Sequence, residues 1–327
     1  MATKLLTVLA ITSGVISAPA ALGKFENLVV FGDSYSDEAR FAYIKQNGKL
    51  PPAGQMLPEA DSPFSNGRIW GRLVAKDTGA TLYDYAVGGA MCTHTNFDQR
   101  PFNETTNIPY PAVLEYELPL FDTDKKLGLY KNLNPDNTVY TLWIGTNDLG
   151  KDGIIGTKAG MHHNVDASST VDSYLTCVWA TLDKMYSQGA RNIVLFKLAP
   201  LEKAPLYAID YPKLKDSLSA DVQNVNAKYD QVVAGTKSQR WADATITIFD
   251  SYKFFSDVIA SPSNFQFTEV SKPYKTCDNN NNCQTASGPQ SSYLWNDALH
   301  LSPAAERLIS QEFQRAVKGA SSYVKNY

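Results

Sequence analysis

The chain has 327 residues, 43% of them hydrophobic and 19% charged, with a net charge of -3. This is ordinary globular composition with apolar material for a large core, and a single α/β domain can run to this length. With no Lys/Arg run and a near-neutral balance, a nucleic-acid partner is excluded.

In chain order, Lys4, the mostly apolar run from Leu5 to Ile16 and the small residues Ala18-Pro19-Ala20 predict a secretory signal over residues 1–20. That run is too short to span a membrane, and no later segment is long and apolar enough. The expectation is therefore a secreted, extracellular chain with one domain over 21–327 and no stable membrane association.

Leu28-Val29-Val30-Phe31 reads as a buried strand running into Gly32, with the polar cluster Asp33-Ser34-Tyr35-Ser36-Asp37 directly behind it. Taken alone, Gly32-Asp33-Ser34 is ordinary turn chemistry. Asp37 to Lys45 looks like a short helix, broken by Asn47-Gly48 and Pro51-Pro52. Residues 46–63 read as a loop that rims a site. Arg68 to Lys76 is a predicted helix, and Thr81 to Ala86 a strand ending in Val87-Gly88-Gly89. Residues 99–111 form another loop. Thr138 to Ile144 is a strong strand, ending in Gly145-Thr146-Asn147-Asp148.

Val171 to Gln188 has apolar residues at helical spacing and Gly189 to stop it. Asn192 to Leu198 is a strand, Leu214 to Val233 a helix, Ala244 to Phe249 a strand and Tyr252 to Ile259 a short helix. Tyr293-Leu294-Trp295 is short and apolar. The last helix, Pro303 to Val317, has Ser302 as its N-cap, Pro303 in its first turn and Gly319 behind it. Strands alternating with helices predict an α/β fold with a parallel sheet covered on both faces.

Four cysteines in a secreted chain predict disulfides. Cys277 and Cys283 flank a polar loop, and closing it contributes roughly 2 kcal/mol by loop entropy. Cys92 with Cys177 follows by elimination. Asn103-Glu104-Thr105 is the one glycosylation sequon. His162-His163 near Asp166 matches no standard ligand spacing, so a solvated loop is the better reading than a metal site.

Three features fall at strand ends: Ser34, Gly88-Gly89 and Asn147. In a parallel sheet such ends share one edge, where ligands bind. Asp297-Ala298-Leu299-His300 adds a carboxylate three residues from an imidazole. Together these supply a serine, a base to take its proton and a carboxylate to orient that base. The N–H groups of Ser34 and of Gly88 or Gly89, with the Asn147 amide, are candidate donors to an oxyanion.

Phe31-Gly32-Asp33-Ser34-Tyr35-Ser36-Asp37, Ala86-Val87-Gly88-Gly89-Ala90, Gly145-Thr146-Asn147-Asp148 and Asp297-Ala298-Leu299-His300 resemble, in that order, the four blocks of the GDSL or SGNH esterases and lipases. The resemblance spans almost the whole mature chain. It implies a flavodoxin-like three-layer α/β/α sandwich and ester hydrolysis through an acyl-enzyme, with no cofactor or metal. Ser34 would be the nucleophile and His300 and Asp297 its partners. Ser34, a glycine of the second block and Asn147 would bind the oxyanion. Counting along the glycine block favours Gly89 over Gly88.

The chain departs from the family at Asp84, where an asparagine often precedes the glycine block; a backbone-fixing hydrogen bond is in question there. Residues flanking the blocks are similar to secreted fungal-type acetylesterases, which implies acetylated plant cell-wall sugars as substrate; no protein partner is implied. A lipid acylhydrolase would use the same residues with a deeper apolar groove. A silent carbohydrate-binding module is the alternative outside enzymes. The ordinary α/β-hydrolase elbow is excluded, because its second glycine would fall at Ser36.

Overall fold

The computed structural model describes residues 24–102, 109–278 and 282–327. The signal at 1–20, the sequon at Asn103 and most of the asparagine run lie outside them.

Five strands run parallel: β1 (Asn27–Gly32), β2 (Thr81–Asp84), β3 (Thr138–Trp143), β4 (Asn192–Phe196) and β5 (Thr245–Phe249), in the order β2-β1-β3-β4-β5. A sixth, β6 (Val324–Asn326), joins β5 antiparallel at the edge. Every residue of β1 and β3 is buried. That is why both read as unbroken runs instead of alternating ones: strands covered on two faces need apolar side chains on both.

The main helices are α1 (Arg40–Asn47), α2 (Trp70–Thr78), α3 (Leu118–Lys126), α4 (Val171–Ser187), α5 (Lys215–Arg240), α6 (Ser251–Ala260) and α7 (Pro303–Val317). α2 packs on α7, while α4 packs on both α3 and α5. On one face Trp70 of α2 and Phe313 of α7 both lie against Phe196 of β4. On the other, Phe121 of α3 meets Phe31 and Tyr140 edge-on. This is the three-layer α/β/α arrangement with the flavodoxin-like strand order.

Several bounds differ from the sequence expectation. α1 starts at Arg40, because Asp37 stands outside the helix and accepts the N–H groups of Arg40 and Phe41. β2 ends at Asp84, two residues early. α5 runs on to Arg240; its buried stripe ends at Val233, and the last two turns are polar and need no apolar partner. α3 is not singled out in the sequence. A turn of π-helix at Val113–Glu117 precedes it and breaks the 3.6-residue period. The polar edge strand β6 carried no apolar signal.

The chain leaves β1 toward β2 on one side and returns to β3 on the other, so a crevice opens above the ends of β1 and β3. At its floor, Gly32 has φ +152°, and a Cβ there would lie 2.2 Å from the Trp143 carbonyl oxygen. Only glycine lets the two backbones come this close while the chain turns.

Candidate active site

Ser34 follows β1 in a tight turn. The Asp33 carbonyl accepts the N–H groups of Ser36 and Asp37, and Asp33 Oδ1 accepts that of Tyr35 at 3.0 Å. Asp33 is wholly buried, and that burial pushes its carboxyl up to about 6. It builds the turn that presents Ser34.

Ser34 Oγ lies 2.8 Å from His300 Nε2. His300 Nδ1 lies 2.9 and 3.0 Å from the two Asp297 oxygens. A proton on Nδ1 facing that carboxylate leaves Nε2 bare toward the serine hydroxyl. Burial works to raise Asp297, but the charge and hydrogen bonds of His300 and the Leu299 N–H outweigh it and leave the carboxyl lowered. The turn is locally determined. Asp297 Oδ1 accepts the N–H groups of Leu299 and His300 at 2.9 and 2.8 Å, which fixes the ring over its own carboxylate.

The candidate oxyanion donors separate cleanly. Gly88 N–H donates to Asp37 Oδ2 at 2.7 Å and is consumed. The N–H groups of Ser34 and Gly89 have no partner among the described residues. Asn147 gives one amide hydrogen to the Ala90 carbonyl at 2.9 Å, which leaves its second one over. These donors follow β1, β2 and β3.

Asp84 does the fixing expected of an asparagine. One oxygen accepts the Ala86 N–H at 3.0 Å and the other the Glu38 N–H at 2.8 Å, so it ties the serine block to the glycine block. Asp37, pushed up to about 6 by burial, does the same through Gly88. Asp148 Oδ1 accepts the Cys92 N–H at 2.8 Å, and burial pushes it up to about 8. The disulfide Cys92–Cys177 then ties this segment to α4, and Cys277–Cys283 closes a small hairpin.

Three further residues, not singled out from the sequence, brace the site. Tyr35 stacks on Trp143 and donates to the Leu299 carbonyl at 2.9 Å, which links the serine turn to the histidine turn. The Phe64 ring lies 4.8 Å from the His300 ring. Glu117 accepts the Gly32 N–H at 2.9 Å from 85 residues away, and its burial raises its pKa well above the usual range. Tyr35 sits inside the serine block and could have been suspected. Glu117 is a charged residue in an unremarkable stretch, and nothing local marks it.

Other candidates stay apart. Trp295 is core, its indole N–H donating to the Val270 carbonyl. His162 approaches Asp152, not Asp166. Among the described residues no three ligand-type side chains gather to hold a metal.

A family model described as GDSL-like lipase/acylhydrolase matches residues 28–313. An acetylesterase from Hypocrea jecorina is 33% identical over 91% of this chain and 90% of its own. An acetylesterase from Thermothelomyces thermophilus is 26% identical over 90% of this chain and 88% of its own. A phosphatidylcholine-sterol acyltransferase from Aeromonas hydrophila is 27% identical over 75% of this chain and 64% of its own.

Proposed function

The chain belongs to the GDSL lipase/acylhydrolase family and is a carboxylic ester hydrolase; on that premise we propose that it is a secreted acetylesterase acting on acetylated plant cell-wall carbohydrates through Ser34, His300 and Asp297. The observation that carries this reading is the 2.8 Å contact between Ser34 Oγ and His300 Nε2, with Asp297 behind the ring. The acetylesterases among its relatives support the acetyl group. Two disulfides among the described residues support an oxidising, extracellular destination.

In this mechanism Ser34 Oγ attacks the ester carbonyl carbon while its proton passes to His300 Nε2. The oxyanion accepts from the N–H groups of Ser34 and Gly89 and from the Asn147 amide. The C–O bond to the sugar breaks, and the His300 proton goes to the departing sugar oxygen. Water then gives a proton to His300 and attacks the acetyl-enzyme carbonyl. Collapse of that second intermediate releases acetate, and the proton returns to Ser34. Asp297 keeps the imidazole oriented and stabilises its charged form throughout.

A second reading, a lipid acylhydrolase, draws support from a mainly apolar groove of 330 Å³ beside the glycine block, lined by Phe41, Ile44, Val87, Phe102 and Tyr110 together with Lys45 and Gly48. Incubation with acetylated xylooligosaccharides and, separately, with phosphatidylcholine vesicles distinguishes the two. The acetylesterase reading expects acetate from the first and negligible fatty acid from the second. Fatty acid without acetate would overturn it in favour of the lipid reading.

A further inference from the structure

The Gly88-Gly89 pair has four backbone polar groups, and three are tied down. Gly88 N–H donates to Asp37 Oδ2 at 2.7 Å. The Gly88 carbonyl accepts the Tyr110 hydroxyl at 2.7 Å. The Gly89 carbonyl accepts Arg100 Nη2, also at 2.7 Å. The fourth group, Gly89 N–H, has no partner among the described residues. Gly88 is buried and Gly89 half-buried; with three of the four groups satisfied, the one donor left over, at the rim of the site, is available to a ligand.

The Gly88 carbonyl and the Gly89 N–H belong to one planar trans peptide, in which they point in opposite directions. Whatever grips the carbonyl therefore decides where the N–H points. Rotation of a peptide between two flexible glycines is otherwise easy. We propose that Tyr110 is a positioning residue for ester hydrolysis: its hydroxyl, held in place by Arg100, locks the Gly88–Gly89 peptide so that Gly89 N–H faces the oxyanion. This rests on the reading of Gly89 as an oxyanion donor.

The surroundings of Tyr110 suit the task. Arg100 lies over its ring, 4.6 Å from the centroid. The same guanidinium is clamped by Asp98 through Nε at 2.9 Å and Nη2 at 2.7 Å. One side chain thus braces both the tyrosine ring and the Gly89 carbonyl. A Cβ on Gly89 would lie 2.5 Å from the Tyr110 oxygen, so the hydroxyl is packed against the peptide it holds. Burial pushes the Tyr110 hydroxyl up to about 12, so it stays protonated and donating at neutral pH.

The test is Tyr110→Phe, which keeps the ring over Arg100 and deletes the latch. On 4-nitrophenyl acetate the expected outcome is a kcat lowered by roughly 10- to 100-fold with KM within about two-fold, since a misaimed donor loses part of what a deleted one does. Phenylboronic acid, which forms a tetrahedral adduct on a nucleophilic serine, should bind more weakly by a similar factor. A merely structural tyrosine would move the unfolding midpoint and leave both readouts at parental values. That result, or a loss carried by KM alone, overturns the proposal. If Tyr110→Phe does not fold, Arg100→Lys tests the same brace: a lower kcat at constant KM supports the proposal and parental kinetics overturn it. Parental hydrolysis is measured first. An inactive parent sinks the acetylesterase reading itself, whereas an active parent with an equally active Tyr110→Phe sinks only this inference.

Discussion

The two halves of the site are built on opposite principles. The serine side is assembled from three strand ends, and its hydrogen bonds join residues far apart in the chain: Gly32 to Glu117, Gly88 to Asp37 and Asn147 to Ala90. Its anchors are carboxylates buried out of solvent. The histidine side is a four-residue turn. Asp297 satisfies two N–H groups of its own turn and holds the ring of His300 as well. Few links join the halves. The Ser34–His300 hydrogen bond is one, and Tyr35 donating to the Leu299 carbonyl is another. In the proposed mechanism the nucleophile needs a rigid sheet edge to present it, the base needs only a short turn that fixes its tautomer, and activity depends on the register between the two.

The sharpest way to break this comparison is to remove one group from each half. Ser34→Ala and His300→Ala should each lower kcat/KM on 4-nitrophenyl acetate by at least ~10⁴-fold, because each acts only through the other. The double variant should fall no further than the worse single one. If its loss equals the product of the two, the halves act independently and the proposed roles are wrong.

The same contrast explains what could be read from the sequence. Both halves carry compact local patterns: an apolar run ending in Gly32-Asp33-Ser34, one ending in Gly145-Thr146-Asn147, and an aspartate three residues before a histidine. Topology could be inferred because parallel strand ends share an edge. The bracing could not. Glu117 and Tyr110 act across long sequence separations, and their own neighbourhoods contain nothing that distinguishes them from ordinary surface residues. Counting along the block favoured Gly89, but setting Gly88 aside needed its partner, which is Asp37 in another block.

A smaller effect should test the buried carboxyls by pH. Burial pushes Asp33 and Asp37 up to about 6, and Asp148 and Glu306 up to about 8, from ordinary values near 4. A carboxyl raised in the folded state binds more protons there than in the unfolded chain. Its stabilising contribution is complete below the unfolded value and is lost as pH rises through the folded one. Asp297 is lowered from an ordinary value of 3.8, so it contributes throughout the range from pH 5 to pH 8 and does not oppose this trend. The thermal midpoint should therefore be higher at pH 5 than at pH 8 by at least about 2–4 °C. Scanning calorimetry at the two pH values checks this. A midpoint that rises from pH 5 to pH 8 would show that the buried carboxylates are not what orders the sheet edge.

The smallest effect on kcat concerns the two disulfides, one beside each half. Cys92–Cys177 closes a long loop at the sheet edge, where the Cys92 N–H also holds Asp148, the neighbour of Asn147. Cys277–Cys283 closes a short loop in a hairpin whose Lys275 N–H donates to the Asn296 carbonyl, just before the histidine turn. Loop entropy assigns about 4–5 kcal/mol to the first and roughly 2 kcal/mol to the second. The Cys277→Ser/Cys283→Ser variant should accordingly lose roughly 2 kcal/mol in denaturant unfolding and keep its kcat, because the Asp297–His300 turn supplies its own hydrogen bonds. The Cys92→Ser/Cys177→Ser variant should lose more stability and some kcat as well, since it loosens the segment that carries Asn147. A fall in kcat from the short-loop variant alone would mean that the turn is held by its hairpin and not by Asp297.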